Sequence, residues 1–187
     1  MTTILITGGA RSGKSRFALE LAHRSDPPVL FVATATAGDE EMGQRIKEHR
    51  EQRPRSWRTL EATTQVGSEI QKNIAGSRTV IVDCISLLVN NIFSKYTDQF
   101  GELTEIPKLE KAVDDEINGL AACPSQMEAG FIIVTNEVSF GLVPVNRMGR
   151  IYRDILGKAN QILATRADEV YLMVAGIPVK IKPAATG

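Results

Sequence analysis

The segment from Gly8 to Ser15 constrains the fold of this 187-residue chain more than any other part of it. It fits the pattern G-x-x-x-x-G-K-[ST], in which glycines let the backbone wrap around a polyphosphate with its N–H groups pointing inward. Lys14 is placed to reach the terminal phosphates, and the Ser15 hydroxyl is placed to hold Mg²⁺. The motif predicts a phosphate-binding loop, the P-loop, formed by Gly8, Gly9, Ala10, Arg11, Ser12, Gly13, Lys14 and Ser15.

Short apolar runs alternate with longer helical patterns along the chain. The runs are nearly continuous in Ile, Val and Leu, which is typical of parallel strands covered on both faces. The predicted strands are Thr3–Thr7, Val29–Thr34, Trp57–Glu61, Thr79–Asp83, Phe131–Thr135 and Glu169–Val174. The predicted helices are Lys14–Arg24, Glu40–Gln52, Val66–Ile74, Ile85–Lys95, Pro107–Ala122 and Asn146–Ala164. A strand before Gly8 and a helix after Ser15 favour a phosphate loop over an ordinary glycine-rich turn that carries a lysine.

Strand–helix alternation of this kind implies right-handed crossovers and a mainly parallel sheet. The tail from Gly176 to Lys182 follows the last strand through a turn and predicts an antiparallel strand, with Pro178 favouring an edge position. The chain length is close to the prior of about 150 residues for one domain. The sequence therefore predicts a single α/β domain over residues 1–187, a three-layer sandwich of the P-loop NTPase (RecA-like) type with an antiparallel C-terminal edge strand.

Composition excludes several classes of protein. The 22 basic and 22 acidic side chains balance, which argues against a protein that holds nucleic acid by neutralising phosphates. No apolar stretch reaches the roughly 18 residues that a membrane span needs, and the N-terminus has no secretory pattern. Cys84 and Cys123 form neither a disulfide framework nor a zinc pattern. We therefore expect a protein of the reducing cytoplasm without a transmembrane segment.

Asp83 closes the apolar run Thr79–Asp83 and is a candidate metal ligand. A P-loop enzyme requires an acidic side chain at the end of a neighbouring strand, where it holds Mg²⁺ or a water molecule of the ion. The alternative is that Asp83 caps the helix that begins near Ile85. The P-loop favours the metal role.

A polar helical segment around His49 carries the second candidate chemistry. Arg45, His49 and Arg53 are spaced four residues apart and share one helix face. Flanking arginines disfavour a protonated imidazole, and a neutral imidazole beside cations that gather a polyphosphate is what a histidine nucleophile requires. A solvated, charged helix with an incidental histidine explains the same pattern.

The segment that follows the strand Phe131–Thr135 is a candidate binding loop. It reads Thr135-Asn136-Glu137 and then carries apolar residues up to Pro144. Ligands of open α/β sheets bind at the carboxyl ends of parallel strands. The loop either covers a bulky partner, packs on another subunit, or is a plain connection with Asn146 as the N-cap of the next helix.

Taken together, these motifs resemble the bifunctional adenosylcobinamide kinase/adenosylcobinamide-phosphate guanylyltransferase family of cobalamin assembly. The similarity runs through nearly the whole chain in order. It is carried by Thr7–Ser15, Arg45-Ile46, His49, Arg53-Pro54, Trp57-Arg58-Thr59, Glu61, Thr135-Asn136-Glu137-Val138, Gly141-Leu142-Val143-Pro144, Arg153-Asp154, Asn160-Gln161 and Gly176–Lys182.

The resemblance implies two reactions. ATP or GTP phosphorylates the hydroxyl of the aminopropanol arm of adenosylcobinamide. GTP then guanylylates a histidine, which maps to His49, and GMP passes to adenosylcobinamide phosphate to give adenosylcobinamide-GDP. The family's nucleotide contacts map to Gly8–Ser15, Thr34, Ala35, Thr36, Arg50, Glu51, Gln52, Arg53, Glu61 and Asp83. The resemblance also implies a homotrimer with sites near the subunit contacts.

The residues themselves are compatible with this chemistry. A single P-loop implies that both reactions share one triphosphate cradle, with Lys14 on the phosphates and Mg²⁺ on Ser15 and Asp83. Two alternatives remain: a monofunctional P-loop kinase of a small molecule, in which His49 is inert, and a non-catalytic nucleotide-sensing ATPase module.

Overall fold

A computed structural model of the chain describes residues 1–25, 27–36, 43–44, 47, 50–51, 53–99 and 101–183. These residues form a seven-stranded sheet. Its strands are β1 (Thr3–Gly8), β2 (Val29–Ala33), β3 (Arg58–Glu61), β4 (Thr79–Asp83), β5 (Gly130–Val134), β6 (Glu169–Val174) and β7 (Ile177–Lys182). Their order across the sheet is β3-β2-β4-β5-β1-β6-β7.

All neighbouring strands pair in parallel except β6 and β7, which form an antiparallel hairpin at one edge. The carboxyl ends of the six parallel strands therefore lie on the same side of the sheet, which we call its carboxyl edge. Strand β5 lies between β1 and β4, and its last residue, Val134, is in register with Ile6 of β1 and with Asp83 of β4. This arrangement brings the P-loop and the ends of β4 and β5 together.

The longer described helices are α1 (Lys14–His23), α2 (Val66–Asn73), α3 (Ile85–Ser94), α4 (Ile106–Gln126) and α5 (Arg147–Arg166). Successive side chains of each strand enter opposite layers, so that Leu5 packs in the larger core cluster with α2 to α5, and Ile6 packs in the smaller cluster with α1. The expected three-layer sandwich with a mainly parallel sheet and an antiparallel C-terminal edge strand is confirmed.

Apart from the predicted helix Glu40–Gln52, the predicted strands and helices agree with the structure, with differences of a few residues at their ends. The largest difference is in α4, which continues past the predicted end at Ala122 and includes Pro124. Its last turn is kept helical by burial, because Cys123 is fully buried and its thiol donates to the carbonyl oxygen of Gly67 in α2 at 3.7 Å. Tertiary packing here overrides the local preference of proline.

Two of the predicted caps have different outcomes. Asn146 is the N-cap of α5, as expected, and its side chain accepts a hydrogen bond from the N–H of Gly149 at 2.6 Å. The N-cap of α3 is Cys84, without a side-chain cap, so the capping role considered for Asp83 is wrong.

In the predicted helix Glu40–Gln52, the described residues Gly43, Gln44, Lys47, Arg50 and Glu51 are helical. The rest of that segment lies outside the described residues.

Within the described part of the chain, no helix combines the length and the apolar character that crossing a membrane would require.

Candidate active site

The P-loop connects the end of β1 to the start of α1. Gly8 and Gly13 have φ angles of 148° and 93°, a region of backbone conformation that side chains rarely adopt. Within the loop the N–H of Ser12 donates to the carbonyl oxygen of Gly9 at 3.3 Å. Helix α1 then begins at Lys14, so that its N-terminal N–H groups face the loop. The loop has the local structure that the sequence motif predicts.

Lys14 is folded back beneath this loop. Its side chain is largely buried, with 7% of the residue exposed, and its Nζ atom donates to the carbonyl oxygen of Gly9 at 2.6 Å. Burial lowers the pKa of the Lys14 ammonium, and the Asp83 carboxylate opposes this shift. A buried cation at the N-terminus of α1 forms an environment that favours a bound anion.

The β6–β7 hairpin supports the P-loop from one side. The N–H of Gly176, in the hairpin turn, donates to the carbonyl oxygen of Ser12 at 3.0 Å. A Cβ atom on Gly8 would lie 2.6 Å from the carbonyl oxygen of Met173, and one on Gly13 would lie 3.2 Å from the Cα atom of Gly176. Close packing of the backbone therefore requires glycine at position 8 and disfavours a side chain at position 13, and the φ angles of both residues add to this preference.

Asp83 lies at the carboxyl end of β4, two strands from the P-loop strand. Its carboxylate acts electrostatically on both Lys14 and Arg53. Ser15 follows Lys14 in the first turn of α1 and is half-buried. Among the described residues, no cluster of three or more His, Cys, Asp or Glu side chains is arranged to hold a metal ion. The oxygen donors Ser15 and Asp83 fit Mg²⁺, which usually keeps several waters and binds through one or two protein groups plus substrate phosphates.

Thr34 connects the ends of β2 and β4. Its hydroxyl donates to the carbonyl oxygen of Cys84 at 2.7 Å and accepts from the N–H of Cys84 at 2.8 Å. The Asn91 amide of α3 donates to the carbonyl oxygens of Thr34 at 2.8 Å and of Thr63 at 3.1 Å. Ala35 and Thr36 follow Thr34 and become increasingly exposed. The segment Thr34–Thr36 therefore leaves a rigid anchor and opens toward solvent at the carboxyl edge.

Arg53 is a half-buried cation of the histidine-bearing segment. Its guanidinium carbon lies 3.5 Å from the centre of the Phe31 ring, and its Nε is buried without a hydrogen-bond partner among the described residues. Burial lowers the pKa of Arg53, while the carboxylates of Asp83 and Glu61 act in the opposite direction. Glu61 ends β3 and pairs in register with Ala33 of β2. The structure thus brings Arg53 to the same edge as Asp83 and Glu61.

Two further residues of this segment, Arg50 and Glu51, are helical and exposed. The charge of Arg50 acts on Arg53. His49 and Gln52, together with Arg45, lie outside the described residues. The structure therefore does not test the role of His49, which stays a prediction.

A hydrogen-bond network behind the site was not predicted from the sequence. The Thr135 hydroxyl donates to Oδ1 of Asn160 at 2.7 Å, and the Asn160 amide donates to the carbonyl oxygen of Asn136 at 3.0 Å. The Asn136 amide then donates to the Ser86 hydroxyl at 2.8 Å, which is 3.0 Å from the Cys84 sulfur. The network fixes the ends of β4 and β5 against α5. The polar residues at the strand ends are a sequence signal for such a network. Their partners could not be identified from the sequence, because they lie 24 to 50 positions away.

The loop after β5 is anchored at both of its ends and apolar between them. Near its start the Glu137 carboxylate accepts from the N–H of Ser139 at 2.7 Å. Near its end Nη1 of Arg150 donates to the carbonyl oxygens of Pro144 at 2.9 Å and Val145 at 2.6 Å. Between and beside these anchors Phe140, Leu142, Val143 and Val145 are 80%, 97%, 62% and 98% exposed.

This site lies on a chain whose relatives are known. Residues 4–181 match the family described as cobinamide kinase / cobinamide phosphate guanyltransferase. The chain belongs to this family. The resemblance that the motifs indicated is thereby confirmed, and the protein is an enzyme with the kinase and guanylyltransferase activities of that family.

Curated relatives extend over almost the whole chain. The bifunctional adenosylcobalamin biosynthesis protein CobU of Salmonella typhimurium is 44% identical over 180 residues, which are 96% of this chain and 99% of the relative. The protein of the same name from Escherichia coli is 42% identical with the same coverage. The bifunctional adenosylcobalamin biosynthesis protein CobP of Pseudomonas aeruginosa is 39% identical and covers 95% of this chain and 96% of the relative.

Solved structures share the fold at low sequence identity. An ATPase from the type III secretion system of pathogenic bacteria superposes with a TM-score of 0.52 at 11% identity. It covers 91% of this chain, and this chain spans half of its length. A protein of Pyrococcus horikoshii OT3 has a TM-score of 0.52 at 10% identity and covers 97% of this chain and 86% of its own. At these identities the similarity is one of fold, and it agrees with the expected P-loop NTPase class.

Proposed function

We propose that this enzyme phosphorylates adenosylcobinamide with ATP or GTP and then transfers GMP from GTP to the phosphorylated product through a guanylyl group on His49. The final product is adenosylcobinamide-GDP. The observation that carries this proposal is the buried Lys14 on its P-loop, next to Asp83 and Arg53, in a chain that matches the bifunctional family over residues 4–181.

One phosphate cradle serves both steps. In the kinase step the acceptor hydroxyl attacks the γ-phosphorus and the nucleoside diphosphate leaves. In the guanylylation step the His49 imidazole attacks the α-phosphorus and pyrophosphate leaves. Imidazole is both a good nucleophile and a good leaving group, so the phosphoramidate it forms passes GMP on to the phosphate of the acceptor. Lys14 stabilises the charge that develops on the phosphates in each case.

The nucleotide contacts of this proposal are Gly8, Gly9, Ala10, Arg11, Ser12, Gly13, Lys14, Ser15, Thr34, Ala35, Thr36, Arg50, Glu51, Gln52, Arg53, Glu61 and Asp83. Gly8–Ser15, Thr34–Thr36, Glu61 and Asp83 lie at or next to the carboxyl ends of β1, β2, β3 and β4, and Arg53 interacts electrostatically with Asp83 and Glu61. The Nε of Arg53 is buried and has no hydrogen-bond partner within the part of the chain that the structure describes, which supports its role, because such a donor fits a bound phosphate or base. Ser15 and Asp83 would hold Mg²⁺, which offsets negative charge on the triphosphate.

The assembly we propose is a homotrimer in the cytoplasm. Edge strand β7 and the end of β6 carry an apolar stripe of exposed side chains, namely Val174, Ile177, Val179 and Ile181. An exposed apolar edge strand is a feature that subunit association covers. Both cysteines are free and buried, which supports a reducing compartment.

The decisive experiment follows label from the α-phosphate of GTP onto the protein. The purified enzyme is incubated with Mg²⁺ and GTP labelled at the α-phosphate, and acid-labile, base-stable label on the protein is measured. We expect label on the wild-type enzyme and none on His49→Ala. His23→Ala is the matched control, because the chain has two histidines, and it should label like the wild type.

Phosphorylation of cobinamide is measured on the same variants. His49→Ala should retain this activity, because the kinase step does not use the imidazole. Label that persists in His49→Ala would overturn the assignment of the carrier. Phosphorylation without any label in the wild type would identify a monofunctional kinase.

A further inference from the structure

Glu137 has no assigned role, yet it lies against the P-loop. The backbone ladder between β5 and β1 continues beyond the strand ends, with the N–H of Thr135 donating to Ile6 at 2.9 Å and that of Glu137 donating to Gly8 at 3.0 Å. Gly8 is the first residue of the phosphate cradle. The main chain of Glu137 is therefore in direct contact with the loop that would hold the triphosphate.

The sheet order places Glu137 between two groups of the proposed site. Strand β5 has β1 and the P-loop on one side and β4 with Asp83 on the other. Asp83 is engaged with the cations Lys14 and Arg53. Glu61 ends β3, which lies four strands from β1. Since neighbouring strands are roughly 4.8 Å apart, Glu61 is distant from the P-loop strand. Of these three acidic residues, Glu137 is the one whose main chain contacts the P-loop, and its side-chain hydrogen bonds go to Ser139 rather than to the cations Lys14 and Arg53.

The Glu137 carboxylate is held by one partner and keeps an oxygen available. Oε1 accepts hydrogen bonds from both the N–H and the hydroxyl of Ser139. Among the described residues, none donates to Oε2 and no cation forms an ion pair with this side chain. Glu137 is half-buried as a residue and its carboxylate faces solvent at the start of the apolar loop, so that a substrate seated against this loop would bring a hydroxyl group near Oε2.

We propose that Glu137 is the base that accepts the proton of the acceptor hydroxyl in the phosphorylation step, and that Ser139 positions its carboxylate. The hydroxyl oxygen forms a bond to the γ-phosphorus, and the bond from this phosphorus to the β–γ bridging oxygen breaks. The electron pair of that bond leaves with the nucleoside diphosphate. The proton moves to Oε2 of Glu137 and from there to solvent.

This inference rests on the proposed function, and it distinguishes the two reactions. A neutral imidazole attacks through a lone pair and has no proton to lose at the attacking nitrogen. The phosphate that later accepts GMP is already ionised. Glu137 is therefore required for phosphorylation of the alcohol and dispensable for loading of His49, although both reactions use the same P-loop.

The test measures both half-reactions on Glu137→Gln. We expect kcat for cobinamide phosphorylation to fall about 10²- to 10⁴-fold, the usual contribution of a general base, with a nearly unchanged KM for cobinamide. Labelling of the protein from α-labelled GTP should stay within about twofold of the wild type, since no step of it uses this base. Glu137→Asp should recover part of the activity, and Ser139→Ala should lower kcat less than Glu137→Gln does.

Glu128→Gln is the matched control, because this exposed glutamate precedes β5 at the opposite edge of the sheet. Full kinase activity in Glu137→Gln would overturn the proposal, and so would an equal loss of phosphorylation and labelling. A wild-type enzyme that loads GMP but does not phosphorylate cobinamide would instead refute the kinase step of the proposed function, and the base with it. Circular dichroism and urea unfolding of each variant separate loss of chemistry from loss of fold.

Discussion

The N–H of Gly176 donates to the carbonyl oxygen of Ser12 at 3.0 Å, so the C-terminal hairpin turn is hydrogen-bonded to the phosphate loop. The two residues are 164 positions apart in the sequence. Gly13 packs against the same turn, and Gly8 packs against the carbonyl oxygen of Met173 in β6. The shape of the P-loop is thus set by the hairpin as well as by its own glycines.

Gly8→Ala should disturb this contact. A Cβ atom at this position lies 2.6 Å from the Met173 carbonyl oxygen, and the φ angle of 148° is unfavourable for alanine. We expect a loss of about 1–3 kcal/mol in the free energy of unfolding, together with loss of both activities. Urea unfolding and the two assays measure this. The control is Gly157→Ala in α5, where a Cβ meets nothing within 4 Å, and it should be as stable as the wild type or up to about 1 kcal/mol more stable. Unchanged stability and activity in Gly8→Ala would contradict the packing argument.

Lys14→Ala should abolish phosphorylation and His49 labelling together, because both reactions need the same buried cation. We expect each rate to fall about 10²- to 10³-fold, as for removal of one transition-state donor. Lys111→Ala is the control, since this exposed lysine pairs with Asp115 on the outer face of α4 and should leave both rates unchanged. If only one of the two reactions were lost in Lys14→Ala, a single shared cradle would be wrong.

Asn91→Ala should weaken nucleotide binding without removing any proposed contact to the nucleotide. The Asn91 amide joins Thr34 and Thr63, and the substitution leaves the buried Thr34 carbonyl without this donor. We expect a higher KM for GTP and a loss of about 1–3 kcal/mol in unfolding free energy. Asn118→Ala is the control, because its amide donates to Asp114 within the exposed face of α4, and its effect should be below about 0.5 kcal/mol. A GTP KM equal to that of the wild type would show that the Thr34 segment needs no such anchor.

The two buried thiols should make the fold less stable at alkaline pH. Burial raises the pKa of Cys84 and of Cys123 from 9.0 to about 11. The folded protein keeps these protons where the unfolded chain has lost them, so this contribution to stability declines as pH rises from 9 toward 11. Urea unfolding across this pH range should show that the free energy of unfolding declines less for Cys84→Ala/Cys123→Ala than for the wild type. Parallel curves for the two proteins would contradict the prediction.

Charged substitutions in the apolar stripe of the β6–β7 hairpin should disrupt the proposed trimer. Ile177 and Val179 are 66% and 45% exposed, and an aspartate at either position would be unfavourable inside a subunit contact. The molar mass measured by light scattering should fall from three times the 20.4 kDa chain mass toward the mass of a single chain for Ile177→Asp or Val179→Asp. Val145→Asp tests whether the loop after β5 belongs to the same contact. Trimers that survive both hairpin substitutions would exclude the stripe as the interface.

Local patterns in the sequence determined much of this protein. The glycine spacing of Gly8–Ser15 predicted the P-loop, since few other residues permit the backbone angles that it needs. Continuous apolar runs predicted β1, β2, β4 and β5, because parallel strands are covered on both faces. The motifs in order along the chain also indicated the family, which the matches to known proteins confirmed.

Tertiary structure decided which of these residues meet. The cation Arg53 reaches Asp83, Thr34 joins Cys84, and the hairpin turn at Gly176 supports Ser12. Each contact joins residues at least 30 positions apart, because crossovers place strands that are distant in sequence side by side. The order of the strands, rather than any local pattern, puts Glu137 next to Gly8. Strand β5 lies between β4 and β1, and the residues that follow β5 therefore contact the end of β1.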